Sequence, residues 1–116
     1  MAFFNSKNVV VKLISPTQVL QLDTPTTLSF YIVEPLQEVL LNTVAYRVMK
    51  QSGRDLVELQ AWSSDLPVQR DGVFTLDTTI VTNTVATTDK LVYEFKVIDV
   101  DGIESFHQVK DFSLTT

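Results

Sequence analysis

The chain of 116 residues contains no cysteine, only three glycines and a single histidine. Without cysteine there can be no disulfide, thiolate metal site or thiol redox chemistry, so packing alone must hold the fold together. The three glycines stand alone and build no phosphate-binding loop. His107 cannot form a histidine-centred metal cluster by itself, and no Gly-x-Ser-x-Gly motif supplies a nucleophile for it. The sequence therefore predicts a protein that is not an enzyme and has no cofactor.

Basic clusters and long apolar runs are also missing. Lys and Arg together number 9 against 14 Asp and Glu, the net charge is −5, and the basic residues stand singly. Such a chain offers no basic surface to nucleic acid or to an anionic membrane. The N-terminal stretch has neither the basic start nor the apolar run of a signal peptide, and no segment has the length of a membrane span. These features predict synthesis in a cytoplasm, without nucleic acid or membrane as partners.

Short segments rich in Val, Ile, Thr, Phe and Tyr recur along the chain, separated by Pro, Gly, Asp and Asn. The clearest alternates polar with apolar residues from Lys90 and ends at Asp101-Gly102, a pattern typical of a strand entering a tight hairpin. Seven segments fit this description, at residues 9–14, 27–33, 44–50, 56–62, 73–81, 90–98 and 104–114. We therefore predict an all-β fold with a single domain over residues 9–116, preceded by an N-terminal arm at residues 1–8.

One motif resembles the F strand of immunoglobulin-like (Ig-like) domains. The pattern Asp89-x-Leu91-x-Tyr93-x-Phe95 matches that strand, with Phe95 in the place of its cysteine. Two further stretches carry the resemblance: Tyr46-x-Val48 is similar to strand C of fibronectin type III domains, and Val97-x-Asp99-x-Asp101-Gly102 to the F–G turn of bacterial and phage Ig-like modules.

The resemblance implies an antiparallel Ig-like β-sandwich of about seven strands. It also implies that Tyr93 is the corner tyrosine whose hydroxyl bonds to nearby backbone, and that Phe30 and Phe95 fill the two cysteine positions. Strand alternation places Phe30, Tyr46 and Phe95 in one core between two sheets.

The Asp99-x-Asp101-Gly102 stretch has a second interpretation, as part of a calcium loop. In the EF-hand frame that Gly102 sets, the first and last ligand positions fall on Val97 and Gln108, neither of which is a carboxylate. Calcium could also lie between loops, with help from four acidic residues elsewhere: Asp23, Asp65, Asp71 and Glu104. We predict a hairpin turn and no metal site.

Trp62 is the only tryptophan, and a polar segment follows it. Its position at a strand end allows it to stack on a sugar or to anchor an interface. The interpretation we favour is that it covers the core.

Two apolar features do not fit a solvated sandwich. Phe3 and Phe4 lie in the N-terminal arm, and residues 35–41 place Leu36, Val39 and Leu40 in the loop after the second predicted segment. Exposed apolar clusters mark partner surfaces, so these five residues are the predicted docking residues. The alternative is that both groups fold back onto the sandwich.

Together these features predict a non-enzymatic virion structural protein, a phage head-decoration or tail-accessory subunit that docks on a capsid or tail protein. Its location would be the virion, assembled in the host cytoplasm. The alternative is a recognition or spacer module of a bacterial surface adhesin or glycan-processing enzyme, located outside the cell or at its surface. Homo-oligomerisation stays open at this stage.

Overall fold

The computed structural model describes residues 10–14, 18–33, 41–69, 72–99, 102 and 104–116. Within these residues the chain forms nine strands and one turn of 3-10 helix, at Thr82–Thr84. The strands are β1 (Val10–Leu13), β2 (Val19–Gln21), β3 (Thr26–Val33), β4 (Leu41–Ser52), β5 (Asp55–Gln60), β6 (Leu66–Pro67), β7 (Val73–Thr78), β8 (Lys90–Asp99) and β9 (Glu104–Thr115). The all-β prediction is confirmed, and each of the seven predicted segments overlaps one strand.

The strands form two sheets. The smaller has the order β1-β3-β7, and the larger has the order β2-β9-β8-β4-β5, with β6 paired to β4. All pairings are antiparallel except that of β2 with β9, which is parallel. β8 and β9 pair across the Asp101-Gly102 stretch, as its hairpin pattern predicts, with Ile98 opposite Glu104. The N-terminal arm at residues 1–8 lies outside the described residues.

Alternation of side chains along β3 and β8 places the core between the two sheets. In β3 the side chains of Leu28, Phe30 and Ile32 are buried, whereas Tyr31 between them is exposed. This is the two-residue period expected of a strand with one face toward the core.

The predicted core aromatics meet there. Phe30, Tyr46 and Phe95 all belong to one buried cluster that draws on both sheets. The ring centroids of Phe30 and Phe95, one from each sheet, are 4.7 Å apart, and Phe74 stacks on Phe30 at 5.5 Å. The prediction of a shared core is confirmed.

Two tyrosine hydroxyls cross from the larger sheet to β7. The Tyr93 hydroxyl lies 2.8 Å from the hydroxyl of Thr78, and both residues are buried. The Tyr46 hydroxyl donates to the carbonyl oxygen of Asp77 at 3.2 Å. Burial raises the pKa of Tyr93, which keeps this phenol protonated and able to share the hydrogen bond. The corner geometry implied for Tyr93 is wrong, because its hydroxyl reaches a side chain of the opposite sheet and it is Tyr46 that bonds to backbone.

Gly72 directly precedes β7, where the chain passes close to β3. Its φ is +88°, and a Cβ placed on it would lie 2.9 Å from the carbonyl oxygen of Ile32. The contact is fixed because the Ile32 N–H donates to the Gly72 carbonyl at 3.0 Å. Only glycine meets both conditions without strain.

Gly72→Ala is therefore expected to lower the free energy of unfolding by more than Gly102→Ala does. Gly102 also has a positive φ, +83°, but its Cβ would meet nothing within 4 Å. Both variants incur the left-handed backbone cost, about 1–2 kcal/mol, and only the first adds the contact with Ile32. Urea unfolding of the two variants checks this. Equal losses would mean that β3 moves aside at no cost.

Candidate functional site

The five docking residues predicted from the sequence, Phe3, Phe4, Leu36, Val39 and Leu40, lie outside the described residues. Their role in docking stays a prediction. Leu41, at the end of the same apolar stretch, already belongs to β4.

Trp62 lies on the outer face of the larger sheet, so the interpretation that it covers the core is wrong. Its side chain is half-buried and is absent from the core cluster, whereas Leu59, three residues earlier, packs against that cluster. The indole instead contacts the side chain of Phe106 from β9, with ring centroids 6.0 Å apart in an edge-to-face arrangement. Phe106 is 55% exposed, the largest value among the exposed large apolar side chains of the described residues.

Two cations flank this aromatic pair. The guanidinium carbon of Arg47 lies 5.0 Å from the Trp62 ring centroid, and the Lys96 ammonium nitrogen lies 5.2 Å from it. Both distances are within the range of cation–π attraction. We call these four residues, Arg47, Trp62, Lys96 and Phe106, the Trp62 patch.

Ion pairs hold Arg47 in place. The Glu94 carboxylate oxygen Oε1 accepts from Nε and from Nη2 of Arg47, each at 2.6 Å, and Glu58 accepts from Nη1 at 3.3 Å. Gln108 donates to the other oxygen of Glu94 at 3.4 Å. A guanidinium bound by two carboxylates loses much of its rotational freedom, so the cation beside the indole is pre-positioned.

The backbone next to Trp62 is anchored to β4. The Ser63 N–H donates to the carbonyl oxygen of Tyr46 at 2.8 Å, and the Tyr46 N–H donates to the hydroxyl of Ser63 at 3.1 Å. The first bond continues the backbone pairing of β4 beyond the end of β5, and the second adds a contact from the Ser63 side chain. They set the indole against the sheet rather than leaving it on a free loop.

Beneath the patch the outer face of the sheet is apolar. Ala45, Met49 and Val92 alternate with core-facing neighbours, are buried, and do not belong to the core cluster. Ala45 is paired with Lys96, and Lys96 is paired with Phe106, so these three residues lie side by side across β4, β8 and β9. Ala45 is the smallest of them and adds little bulk to this face of the sheet.

The charges of the patch and its border balance. Arg47 and Lys96 contribute two positive charges, and Glu58 and Glu94 contribute two negative charges. A neutral surface of exposed aromatic rings and a fixed arginine suits a protein partner, because tryptophan and arginine are enriched among the residues that dominate protein interfaces.

Metal ligands do not cluster in the described part of the chain: no group of three or more His, Cys, Asp or Glu side chains there is placed to hold an ion. Of the residues considered for calcium binding, Asp71 and Asp101 lie outside the described residues. His107 is half-buried on the core side of β9, opposite Phe95, and burial lowers its pKa. His107 is therefore a structural residue of the larger sheet.

A separate polar contact joins two loops at one end of the sandwich. Asp23, in the turn before β3, has a φ of +59°, and its carboxylate accepts from both the backbone N–H and the hydroxyl of Thr82. These hydrogen bonds lower the pKa of Asp23. The contact gives Asp23 a structural role, in which it joins the turn before β3 to the 3-10 turn at Thr82.

Comparisons with known proteins give a fold and no family. No family model matches the chain, and neither does any curated protein. The superoxide reductase (neelaredoxin) of Ignicoccus hospitalis is 10% identical over 91% of this chain and 80% of that chain, with a TM-score of 0.49. Spo0M, the sporulation control protein of Bacillus subtilis, is 9% identical over 93% of this chain and 49% of that chain, with a TM-score of 0.52. The likeness to Spo0M shows a shared all-β fold, and this chain spans about half the length of Spo0M.

The sequence carries no alternation signal that places Trp62 on the outer face. Exposure does not alternate along β5, and a register shift in its pairing with β4 puts Gln60 opposite the core-facing Val48 and Glu58 opposite the outward-facing Met49. Phe106 lies between the polar residues Ser105 and His107, so alternation alone would assign it to a core face and not to the surface. No helix in the described part of the chain has the length and apolar character needed to cross a membrane.

Proposed function

We propose that this chain is a non-enzymatic Ig-like module that docks on a larger protein, in the setting of a virion as a head-decoration or tail-accessory subunit. The observation that carries the proposal is the Trp62 patch. It combines an exposed Phe106, an indole held at the surface and an arginine already fixed by two carboxylates. Side chains that are ordered before binding lose less entropy on binding, which favours affinity.

The order of strands supports the Ig-like assignment. In the order of neighbouring strands, β9-β8-β4-β5 corresponds to the strands G-F-C-C′ of variable-type Ig domains, and β1-β3-β7 corresponds to A-B-E. The patch then lies on the outer face of the G-F-C-C′ sheet.

The virion setting is supported by how the core is stabilised. Phe30 and Phe95, which the resemblance places at the two cysteine positions, are in direct ring contact at 4.7 Å. A sandwich closed by aromatic packing needs no oxidising compartment. That suits a subunit which folds and assembles inside a host cytoplasm.

Fractionation of the source lysate tests the proposal. We expect the chain to sediment with virus particles in a fixed ratio to the major capsid or tail protein. Particles assembled without the chain should bind the purified wild-type chain, and should bind the Trp62→Ala and Phe106→Ala variants at least about tenfold more weakly, as expected when interface hot spots are truncated. Recovery of the chain from the cell surface or the medium, and not from particles, would instead support the adhesin or glycan-enzyme module.

Two controls locate the docking surface. Tyr31→Ala removes an exposed aromatic side chain from the outer face of the smaller sheet, and we expect it to leave binding unchanged. Deletion of residues 1–8 tests the arm that contains Phe3 and Phe4. If the deletion abolishes particle binding and the Trp62 patch variants bind normally, the patch is not the docking surface.

A further inference from the structure

The larger sheet has a second surface of interest, its edge strand β5, which is suited to pairing with another β-strand. β5 pairs with β4 on one side and, among the described strands, ends the strand order of its sheet. Its side chains are almost all exposed, and these include Leu56 at 47% and Val57 at 44%. An exposed apolar edge strand is a template for pairing with another strand unless charge, proline or a cover protects it.

The hairpin geometry shows which backbone groups of β5 have no strand partner within the described part of the chain. Ser52 and Asp55 pair on either side of a two-residue turn, in which Gly53 has a φ of +65° and Arg54 has no positive φ. This fits the type II′ turn of a tight hairpin. Hydrogen-bonded and non-bonded pairs alternate from that turn, so the N–H and C=O groups of Leu56 and Glu58 point away from β4.

The side chains along β5 favour one particular partner strand, which is β5 of a second copy of this chain. In a two-fold arrangement with Leu56 opposite Leu56 of the second copy, the two leucines meet on the outer face. In the same register, Arg54 of each copy comes opposite Glu58 of the other. Both residues are exposed in the single chain. Opposite charges across a strand pair are stabilising, and a register centred on Glu58 would instead place two carboxylates against each other.

We propose that two copies of this chain pair antiparallel through β5, with Leu56 at the two-fold axis and an Arg54–Glu58 ion pair on either side. The two larger sheets then form one continuous sheet across the dimer. An isologous two-fold contact of this kind is closed and does not propagate into fibres. The inference goes beyond the proposed function, because it needs neither a virion nor the Trp62 patch.

The dimer has one consequence for docking. A two-fold axis perpendicular to the sheet keeps both outer faces on the same side, so the two Trp62 patches face the same way. A scaffold with repeated subunits could then bind both patches, and the second contact would form at a high effective concentration.

Sedimentation equilibrium over a micromolar to millimolar range tests the dimer directly. We expect wild-type chain to shift from monomer to dimer as its concentration rises, and Leu56→Lys to stay monomeric throughout. Tyr31→Lys, which places the same charge on the outer face of the other sheet, should dimerise as wild type does. A wild-type chain that is monomeric over the whole range would overturn the proposal, because β5 would then not pair with a second copy of the chain. Dimerisation of Leu56→Lys at wild-type strength overturns it as well.

A charge exchange tests the register. Arg54→Glu places two acidic residues opposite each other at both ends of the contact and should weaken the dimer by roughly tenfold. Glu58→Arg should weaken it similarly, and the double variant R54E/E58R should recover most of the wild-type affinity. Thermal unfolding of each variant checks that the monomer still folds, because Glu58 also pairs with Arg47. A double variant no stronger than either single variant would show that Arg54 and Glu58 do not meet across the interface.

Discussion

Replacing Phe95 with alanine is expected to lower the free energy of unfolding by about 3–5 kcal/mol. The Phe95 ring is fully buried, and it contacts Phe30 at 4.7 Å and Phe74 at 5.4 Å between ring centroids. Both neighbours are aromatic rings of the opposite sheet, which cannot close over the space without moving backbone. The loss therefore includes a cavity as well as the transfer of the ring to water.

Phe106→Ala is the matched control for this change, since it deletes the same side chain from the outer face of the same sheet. Phe106 is exposed, and its truncation removes mainly the edge-to-face contact with Trp62. The free energy of unfolding should therefore fall by about 1 kcal/mol or less. Urea or thermal unfolding of both variants gives the comparison. A loss below about 1 kcal/mol for Phe95→Ala would contradict the assignment of this ring to the core.

The long strands could be predicted from the sequence because the residues that face the core recur at every second position. In β3 these are Leu28, Phe30 and Ile32, and in β8 they run from Leu91 to Val97, so the pattern placed Phe30 and Phe95 on the core face. Tyr46 follows the same rule in β4. Alternation is a local property, so it can be read without knowing which strands are neighbours.

The two shortest strands could not be predicted in this way. β2 has three residues and β6 has two, fewer than one full cycle of a recognisable alternation. Both form because a neighbouring strand is already in place: β2 adds in parallel to β9, and β6 adds to β4. Such pairings depend on tertiary structure rather than on the segment itself.

The Trp62 patch is non-local in the same sense. Arg47 comes from β4, Lys96 from β8 and Phe106 from β9, whereas Trp62 lies in the segment that follows β5. Only the order of strands in the sheet brings these four residues together. The sequence showed Trp62 as a single aromatic residue at a strand end, where a core position and a surface position look alike. Its partner Phe106 lies 44 residues later, and no pattern in the sequence connects the two.

Tyr93→Phe is expected to lower the free energy of unfolding by about 1–3 kcal/mol, although it removes only one oxygen atom. The Tyr93 hydroxyl lies 2.8 Å from the hydroxyl of Thr78, and both residues are buried. Removing one member leaves the other without its partner in a site that water does not reach. Thr78→Val, which keeps the shape of the side chain, should cost a similar amount for the same reason.

The double variant distinguishes a hydrogen bond from simple packing. With both hydroxyls absent no polar group is left unsatisfied, so Tyr93→Phe with Thr78→Val should cost less than the sum of the two single changes, by about 1–2 kcal/mol of coupling. Tyr31→Phe, at an exposed tyrosine of β3, provides the control and should change stability by less than about 0.5 kcal/mol. Additive losses in the double variant would show that the two hydroxyls act independently. A coupled loss would mean that the two sheets are joined by a specific polar contact, which selects one relative position of β7 and β8 where aromatic packing alone would tolerate several.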